Sequence, residues 1–357
     1  MIKSNAVLEI NLKNLIYNFK SISKFANNSL TGATIKANAY GIGDLETFKI
    51  LYQNKCRHFF FATLEEALAL REKNTKGNVY VLNGLENNKF SVFKKFNIIP
   101  ILTSINELKK YVKSRYFKKK LRIGIHVETG LNRLGIKIED LKKINTKNIN
   151  LKILVSHLAS ADETNNPYNS IQNNNFKSTF KLFKSIKYKS LANSSGILNN
   201  KKLHYDLVRP GISLYGGINN IKLQKLIKIK SVITLKAKVL QIKNINKHEF
   251  IGYNQTFKTN KIMKTAILGI GYADGISRSL SNKGYAYFKN QIFEIIGRVS
   301  MDSITVDITN SNKMIKTGMY LELINDNNDI EKMAKICGTI SNEILTSITN
   351  RVKRIYI

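Results

Sequence analysis

The sequence predicts an α/β protein: a TIM-type (β/α)8 barrel over residues 10–225, followed by a mostly β C-terminal domain over 226–357 that takes in a strand from residues 1–9. Three observations predict it. A chain of 357 residues exceeds what one hydrophobic core usually supports. As far as about residue 215, short apolar runs alternate with longer amphipathic stretches, and beyond about residue 225 the pattern becomes strict apolar and polar alternation.

The elements follow in order. AVLEIN at 6–11 alternates and reads as a half-buried strand. The apolar runs are ATIKAN at 33, HFFFAT at 58, VYVLNG at 79, IIPILT at 98, LRIGIHVE at 121, KILVSHLA at 152, YKSLAN at 188 and HYDLVR at 204. Continuous apolar runs suit strands covered on both faces, as in a closed parallel barrel. Between them lie helical patterns such as LEEALALREK at 64–73, with apolar residues three and four apart. An open doubly wound sheet is the runner-up, but no strand is followed by a GxGxxG phosphate fingerprint. The second half supplies SVITLKAKVLQIK at 231, KTAILGI at 264, GYAYFKNQIFEIIG at 284 and SITVDI at 303, separated by Gly, Asn and Asp turn signals.

Composition bounds the function classes. The formal charge of +34 invites a nucleic-acid partner. Lysines, however, are spread over the whole chain, with no zinc knuckle or helix-turn-helix spacing, so nucleic-acid binding is not expected. No apolar run is long enough for a membrane span. The segment MIKSNAVLEINLKNL lacks the apolar stretch of a secretory signal, and a cytoplasmic protein is expected. Cys56 and Cys337 sit in no CxxC pattern, and no metal site is expected.

Catalytic groups of such barrels stand at the C-terminal ends of strands. Lys36, Arg133, His157, Asn193, Ser194 and Arg209 all lie at or just after such ends. Lys36 interrupts an otherwise apolar run. Burial at a barrel mouth disfavours its ammonium form, and a neutral amine can condense with a carbonyl.

KANAYGIG at 36–43, TGLNRLG at 129–135, SHLAS at 156–160, LANSSG at 191–196, VRPGISLYG at 208–216, GYADGISR at 271–278 and GRVSMD at 297–302 follow one another along nearly the whole chain. In this order they resemble the blocks of the alanine racemases, pyridoxal 5'-phosphate enzymes of fold type III. The resemblance implies a homodimeric racemase that interconverts L- and D-alanine and supplies D-alanine for peptidoglycan. It makes Lys36 the cofactor lysine and one of two acid/base groups. Tyr272 becomes the opposite base, brought by the second domain of a partner subunit. Arg209 is implied to face the pyridine nitrogen, and His157 to hydrogen-bond Tyr272 and link it to Arg209. Asn193, Ser194, the amides of Gly211 and Ile212, and Tyr40 are implied to hold the cofactor phosphate. Arg133, Met301 and Asp302 are implied to hold the substrate carboxylate, the last two from the partner.

Four positions depart from the family pattern. His126 stands where many relatives carry a carbamylated lysine that orients the arginine. Two basic groups facing one place there predict a bound chloride or similar anion. Ser190 replaces a histidine beside the cofactor-facing arginine. Asn350 and Lys353, in TNRVKR, replace the tyrosine and proline of YRVPR, so a phosphate contact from that tyrosine is not expected. A racemase of serine or lysine remains open on the residues alone. A fold-type-III decarboxylase is less favoured, because it should place a carboxylate where Arg209 stands.

Overall fold

The computed structural model describes residues 4–86, 89–146, 148–218 and 220–357; Met1 to Lys3 of the expected N-terminal segment 1–9 lie outside the described residues. Parallel strands run in the order Lys189–Ser190, Ile153–Val155, Gly124–Glu128, Ile98–Leu102, Asn78–Val81, His58–Phe61 and Ala33–Thr34. Leu207–Val208 closes the ring. It pairs with Leu30–Thr31 on one side, and on the other the Arg209 amide donates to the Ala192 carbonyl at 3.0 Å. The eight runs read from the sequence are the eight staves of this barrel.

The strand HFFF at 58–61 shows why these runs are apolar throughout. Phe60 packs inside the barrel with Tyr80, Ile99, Ile101, Ile153, Val155 and Leu207, whereas Phe59 and Phe61 belong to the outer layer under the helices. Both faces are dry, so alternation disappears. Burying each such ring contributes roughly 1.5–3 kcal/mol. The helices start where local chemistry says they should. Thr63 accepts from the Glu66 amide and Glu66 answers on the cap backbone, a reciprocal box that Ser104 and Glu107 repeat.

The C-terminal strands form a second sheet, in the order Met263–Leu268, Ile304–Asp307, Gln291–Ile296, Tyr285–Phe288, Tyr320–Ile324, Ile233–Ile245, Ala6–Ile10 and Lys353–Tyr356, with Met263–Leu268 also pairing back to Ile233–Ile245. The strand Ala6–Ile10 lies antiparallel to Ile233–Ile245, Leu8 opposite Leu235, and parallel to Lys353–Tyr356. The first and last strands of the chain are therefore neighbours.

The run ATIKAN behaves differently from the expected strand. Pairing stops at Thr34, and after Lys36 the backbone turns left-handed at Ala37, Asn38, Ala39 and Tyr40, with φ of 53, 53, 52 and 56°. Each side chain in that region costs roughly 1–2 kcal/mol. Surrounding contacts hold the turn. Glu66 Oε1 accepts from the Ala37 amide at 2.7 Å, and Asn38 Oδ1 accepts from Asp44 at 3.0 Å. Arg354 donates to the Gly41 carbonyl through Nε at 3.1 Å and Nη2 at 2.9 Å, and the Tyr356 hydroxyl donates to the Ile42 carbonyl at 3.0 Å. Gly43 is required, because a Cβ there would collide with the Tyr356 hydroxyl.

Candidate active site

The C-terminal mouth of the barrel opens into a cavity of ≈ 450 Å³. Lys36, Tyr40, His126, Arg133, His157, Asn193, Ser194, Arg209, Gly211 and Ile212 all line it. Residues spread from position 36 to position 212 converge because strand ends share one rim.

Lys36 has no carboxylate within ion-pair distance among the described residues. Burial first, and then the charge of Arg133, pull its pKa below the ordinary lysine value, against a smaller opposing effect of Glu66. Glu66 cannot close on the amine as a free partner. Its oxygens already accept from the Ala37 amide at 2.7 Å and the Ala62 amide at 2.8 Å. The amine is thus biased toward its neutral, nucleophilic form.

Arg209 is buried without a counter-carboxylate. Nη1 donates to the Ser190 carbonyl at 2.7 Å and hydroxyl at 2.6 Å, and Nη2 donates to the Ser156 carbonyl at 2.6 Å. Burial lowers its pKa to about 10, which leaves it cationic at neutral pH. Nη2 uses one of its two N–H groups in this way and Nε bonds no protein acceptor among the described residues, so the guanidinium keeps donors for a ligand. Ser190 keeps a direct partner on the arginine despite replacing a histidine. Within this single chain the hydrogen bonds of Arg209 go to Ser190 and Ser156 and not to His157.

His157 is held neutral by burial first, then by Arg209, Arg133, His126 and Lys36, and its pKa lies well below 6.5. His126 is neutral for the same reasons, with burial first and Arg209 next, at about 4. Of the two basic groups expected to face an anion, His126 and Arg133, the histidine is thus held neutral and could serve there only as an N–H donor. Arg133 itself forms no ion pair among the described residues. The nearby Glu128 carboxylate is taken up by loop amides, Gly130 at 2.5 Å among them.

These histidines make stability pH-dependent. His126 and His58, the latter at the opposite barrel end bonded to the Tyr80 hydroxyl at 2.9 Å, both fall from 6.5 to about 4 on folding. Their contribution is fully present above the unfolded value of 6.5 and is lost as pH drops through about 4. The thermal midpoint should decline across that window, and a His58→Gln, His126→Gln double variant should decline less steeply. Equal slopes would refute this.

Around the expected phosphate site, Tyr40 keeps its proton. Burial raises its pKa to about 12, so its hydroxyl is a neutral donor. A Cβ on Gly211 would strike that hydroxyl, which is why only glycine fits there. The Gly211 amide donates to Ser194 Oγ at 2.9 Å, as the Ser213 amide does at 3.2 Å. The Asn193 oxygen is likewise engaged, capping the Gly196 amide at 2.9 Å. These two residues build the cup by fixing the starts of Ser194–Asn199 and Ile212–Tyr215, whose first amides lack internal acceptors.

Tyr272, Met301 and Asp302 do not line the Lys36 cavity of the same chain. They group elsewhere, on the turn Tyr272–Asp274 and the loop before Ile304–Asp307. The Tyr272 amide donates to Ser300 at 3.0 Å and the Ala273 amide to Met301 at 3.0 Å. Arg351 bridges the two segments, at 3.1 Å from Asp274 and 2.7 Å from Asp302. Tyr272 is 42% and Met301 52% exposed. No contact between His157 and Tyr272 forms within one chain. Asn350 is exposed and does not line the cavity. Among the described residues no cluster of metal-ligating side chains occurs, and no helix is long and apolar enough to cross a membrane.

The sequence reading missed Asn342, which lines the cavity from the far C-terminal part of the chain. No local signal in TISNEILTS marks it.

Comparison with known proteins agrees with this layout. The family profile "Alanine racemase, N-terminal domain" matches residues 10–219, and "Alanine racemase, C-terminal domain" matches 232–356. The alanine racemase of Rickettsia bellii is 39% identical over 94% of this chain and 83% of its own length. That of Rickettsia canadensis is 38% identical over 99% of each. A crystal structure of alanine racemase from Bartonella henselae with covalently bound pyridoxal phosphate superposes with a TM-score of 0.93, at 34% identity, over 99% of this chain and 100% of that one. With both halves matched and a lysine, an arginine and a donor cup gathered at one barrel mouth, the chain belongs to the alanine racemase family.

Proposed function

We propose that this chain is a pyridoxal 5'-phosphate-dependent racemase that interconverts L- and D-alanine, acting as a homodimer in the cytoplasm. The observation that carries the reading is the buried Lys36 amine, unpaired with any carboxylate, at a cavity whose other wall is the buried cation Arg209. The two free cysteines, Cys56 and Cys337, suit a reducing compartment.

The residues present fit the cofactor. The space beside Gly211 that a Cβ would fill, the protonated Tyr40 hydroxyl, Ser194 and the Ile212 amide form a cradle of neutral donors suited to a phosphate. Lys36 would hold the carbonyl end and Arg209 Nε the ring nitrogen. When bound, the cofactor supplies an electron sink that acidifies the α-proton of the amino acid. Everything else is done by side chains. Arg209, permanently charged, disfavours protonation of the ring nitrogen, which restrains the sink and favours return of the proton over transamination. Lys36 Nζ takes or returns the proton on one face. Tyr272 from a second copy serves the other face, because its own chain does not bring it to the cavity. Met301 and Asp302 of that copy, with Arg133 of the first, close around the substrate carboxylate.

The test is direct. Purified protein with the cofactor and L-alanine in deuterated water should yield D-alanine carrying α-deuterium, and D-alanine should yield labelled L-alanine. Label without inversion, or turnover of other amino acids with none for alanine, would overturn the reading.

A further inference from the structure

We infer that Glu66 is a positioning residue for the Lys36 amine: its carboxylate fixes the backbone from which the amine projects and supplies the negative charge that offsets Arg133. The inference rests on the function proposed above. Lys36 is bracketed by two anchors. Before it, the Ile35 amide donates to the Phe60 carbonyl at 3.0 Å, and after it the Ala37 amide donates to Glu66 Oε1 at 2.7 Å. The second oxygen, Oε2, takes the Ala62 amide at 2.8 Å. One carboxylate therefore ties the loop that carries Lys36 to the end of the neighbouring strand His58–Phe61.

The same device recurs where no chemistry is assigned. Glu107 occupies the same place in its capping box as Glu66 does. Its Oε2 takes the Thr103 amide at 2.7 Å, after its own strand Ile98–Leu102, and its Oε1 takes the Leu85 amide at 2.8 Å, after the preceding strand Asn78–Val81. Both glutamates lace the barrel rim. Neither Leu85 nor Thr103 lines the cavity, whereas the Glu66 clamp closes on the residue next to Lys36. There it holds a loop that runs left-handed through four successive residues, Ala37 to Tyr40, none of them glycine.

Placement and charge both bear on what Lys36 does. Its amine swings on a flexible four-carbon stem, so the direction of the Cα–Cβ bond decides where Nζ can reach. A displacement of about 1 Å at a reacting atom costs about 100-fold in rate. An amine that both takes and returns a proton also needs its two protonation states close in energy. Burial and Arg133 favour the neutral state, and Glu66 favours the charged one. Arg209, Asp44 and Glu128 are not among the groups that move the amine, and His126, His157 and Tyr40, which share the cavity, are held neutral by burial. With Arg133 alone the amine would rest in its neutral state and return protons poorly. Glu66 keeps the charged form within reach.

The test uses the full-length chain freed of cofactor and follows attachment of pyridoxal to Lys36 by visible absorbance, as a rate against pH. The midpoint of that profile reports the charge around the amine, and the plateau at high pH reports its placement. Glu66→Gln keeps the shape, loses the charge and leaves one of the two amides without an acceptor. Its midpoint should move to lower pH, because the group that favours the charged amine is gone, and its plateau should fall about tenfold to a hundredfold. Glu66→Asp keeps the charge but not the reach, so its plateau should fall while its midpoint stays near the wild-type value. Glu107→Gln breaks the same kind of box and should change neither, whatever its effect on the thermal midpoint. A Glu66→Gln profile that superposes on wild type, or an equal change in Glu107→Gln, overturns the inference. Wild-type chain that attaches no pyridoxal overturns instead the function on which it rests.

Discussion

Lys36→Ala is expected to leave a folded protein that racemises nothing and shows none of the visible absorbance of lysine-bound cofactor. Two losses combine. The amine that holds the cofactor carbonyl is gone, and so is one of the two proton-transfer groups, which alone contributes about 10²–10⁴-fold. The fold should survive. The Lys36 side chain forms no ion pair among the described residues, and the turn after it is held through backbone contacts to Glu66, Arg354 and Tyr356. Circular dichroism with a wild-type thermal midpoint, beside a flat spectrum and no chirality change, is the expected result. Full racemisation with a normal spectrum would remove Lys36 from the chemistry altogether.

Tyr272→Phe should cost a similar factor, and on one face only. The turn that carries it stays intact, because the Tyr272 amide bond to Ser300 and the Asp274 contact to the Gly271 amide at 2.9 Å are made by the backbone and by Asp274. Deuterium exchange should therefore persist for one enantiomer and collapse for the other, about 10²–10⁴-fold slower. The same variant tests the dimer. When Lys36→Ala and Tyr272→Phe proteins are mixed and allowed to exchange, a mixed dimer owns one site with both residues intact. About a quarter of wild-type activity should return, since about half of randomly paired dimers are mixed. No recovery, with exchange of subunits verified, would place both residues in one chain's site.

The barrel was legible because each stave is buried on two faces and so announces itself as an unbroken apolar run. The site's rim was legible for the same reason: polar residues that end such runs, Lys36, His157 and Arg209, must emerge at the mouth. What escaped the sequence depends on distant residues. Nothing in KANAY asks for a left-handed turn, since Ala and Tyr prefer the opposite hand; it persists because Arg354, Tyr356 and Glu66 hold it. That the Gly211 amide bonds Ser194 and the Asn193 oxygen caps Gly196 was not legible either, because an end-of-strand polar group can serve the scaffold as well as the cavity it lines. Asn342 reaches the rim from another sheet's connection, which no local pattern encodes.

The contacts of Arg354 and Tyr356 with Gly41 and Ile42 also couple the barrel to the second sheet mechanically. The left-handed turn behind Lys36 is clamped by the strand Lys353–Tyr356, which is itself held by its pairing with Ala6–Ile10. Slackening of that sheet edge is therefore transmitted to the amine, and the rigidity of a barrel residue is borrowed from the neighbouring sheet.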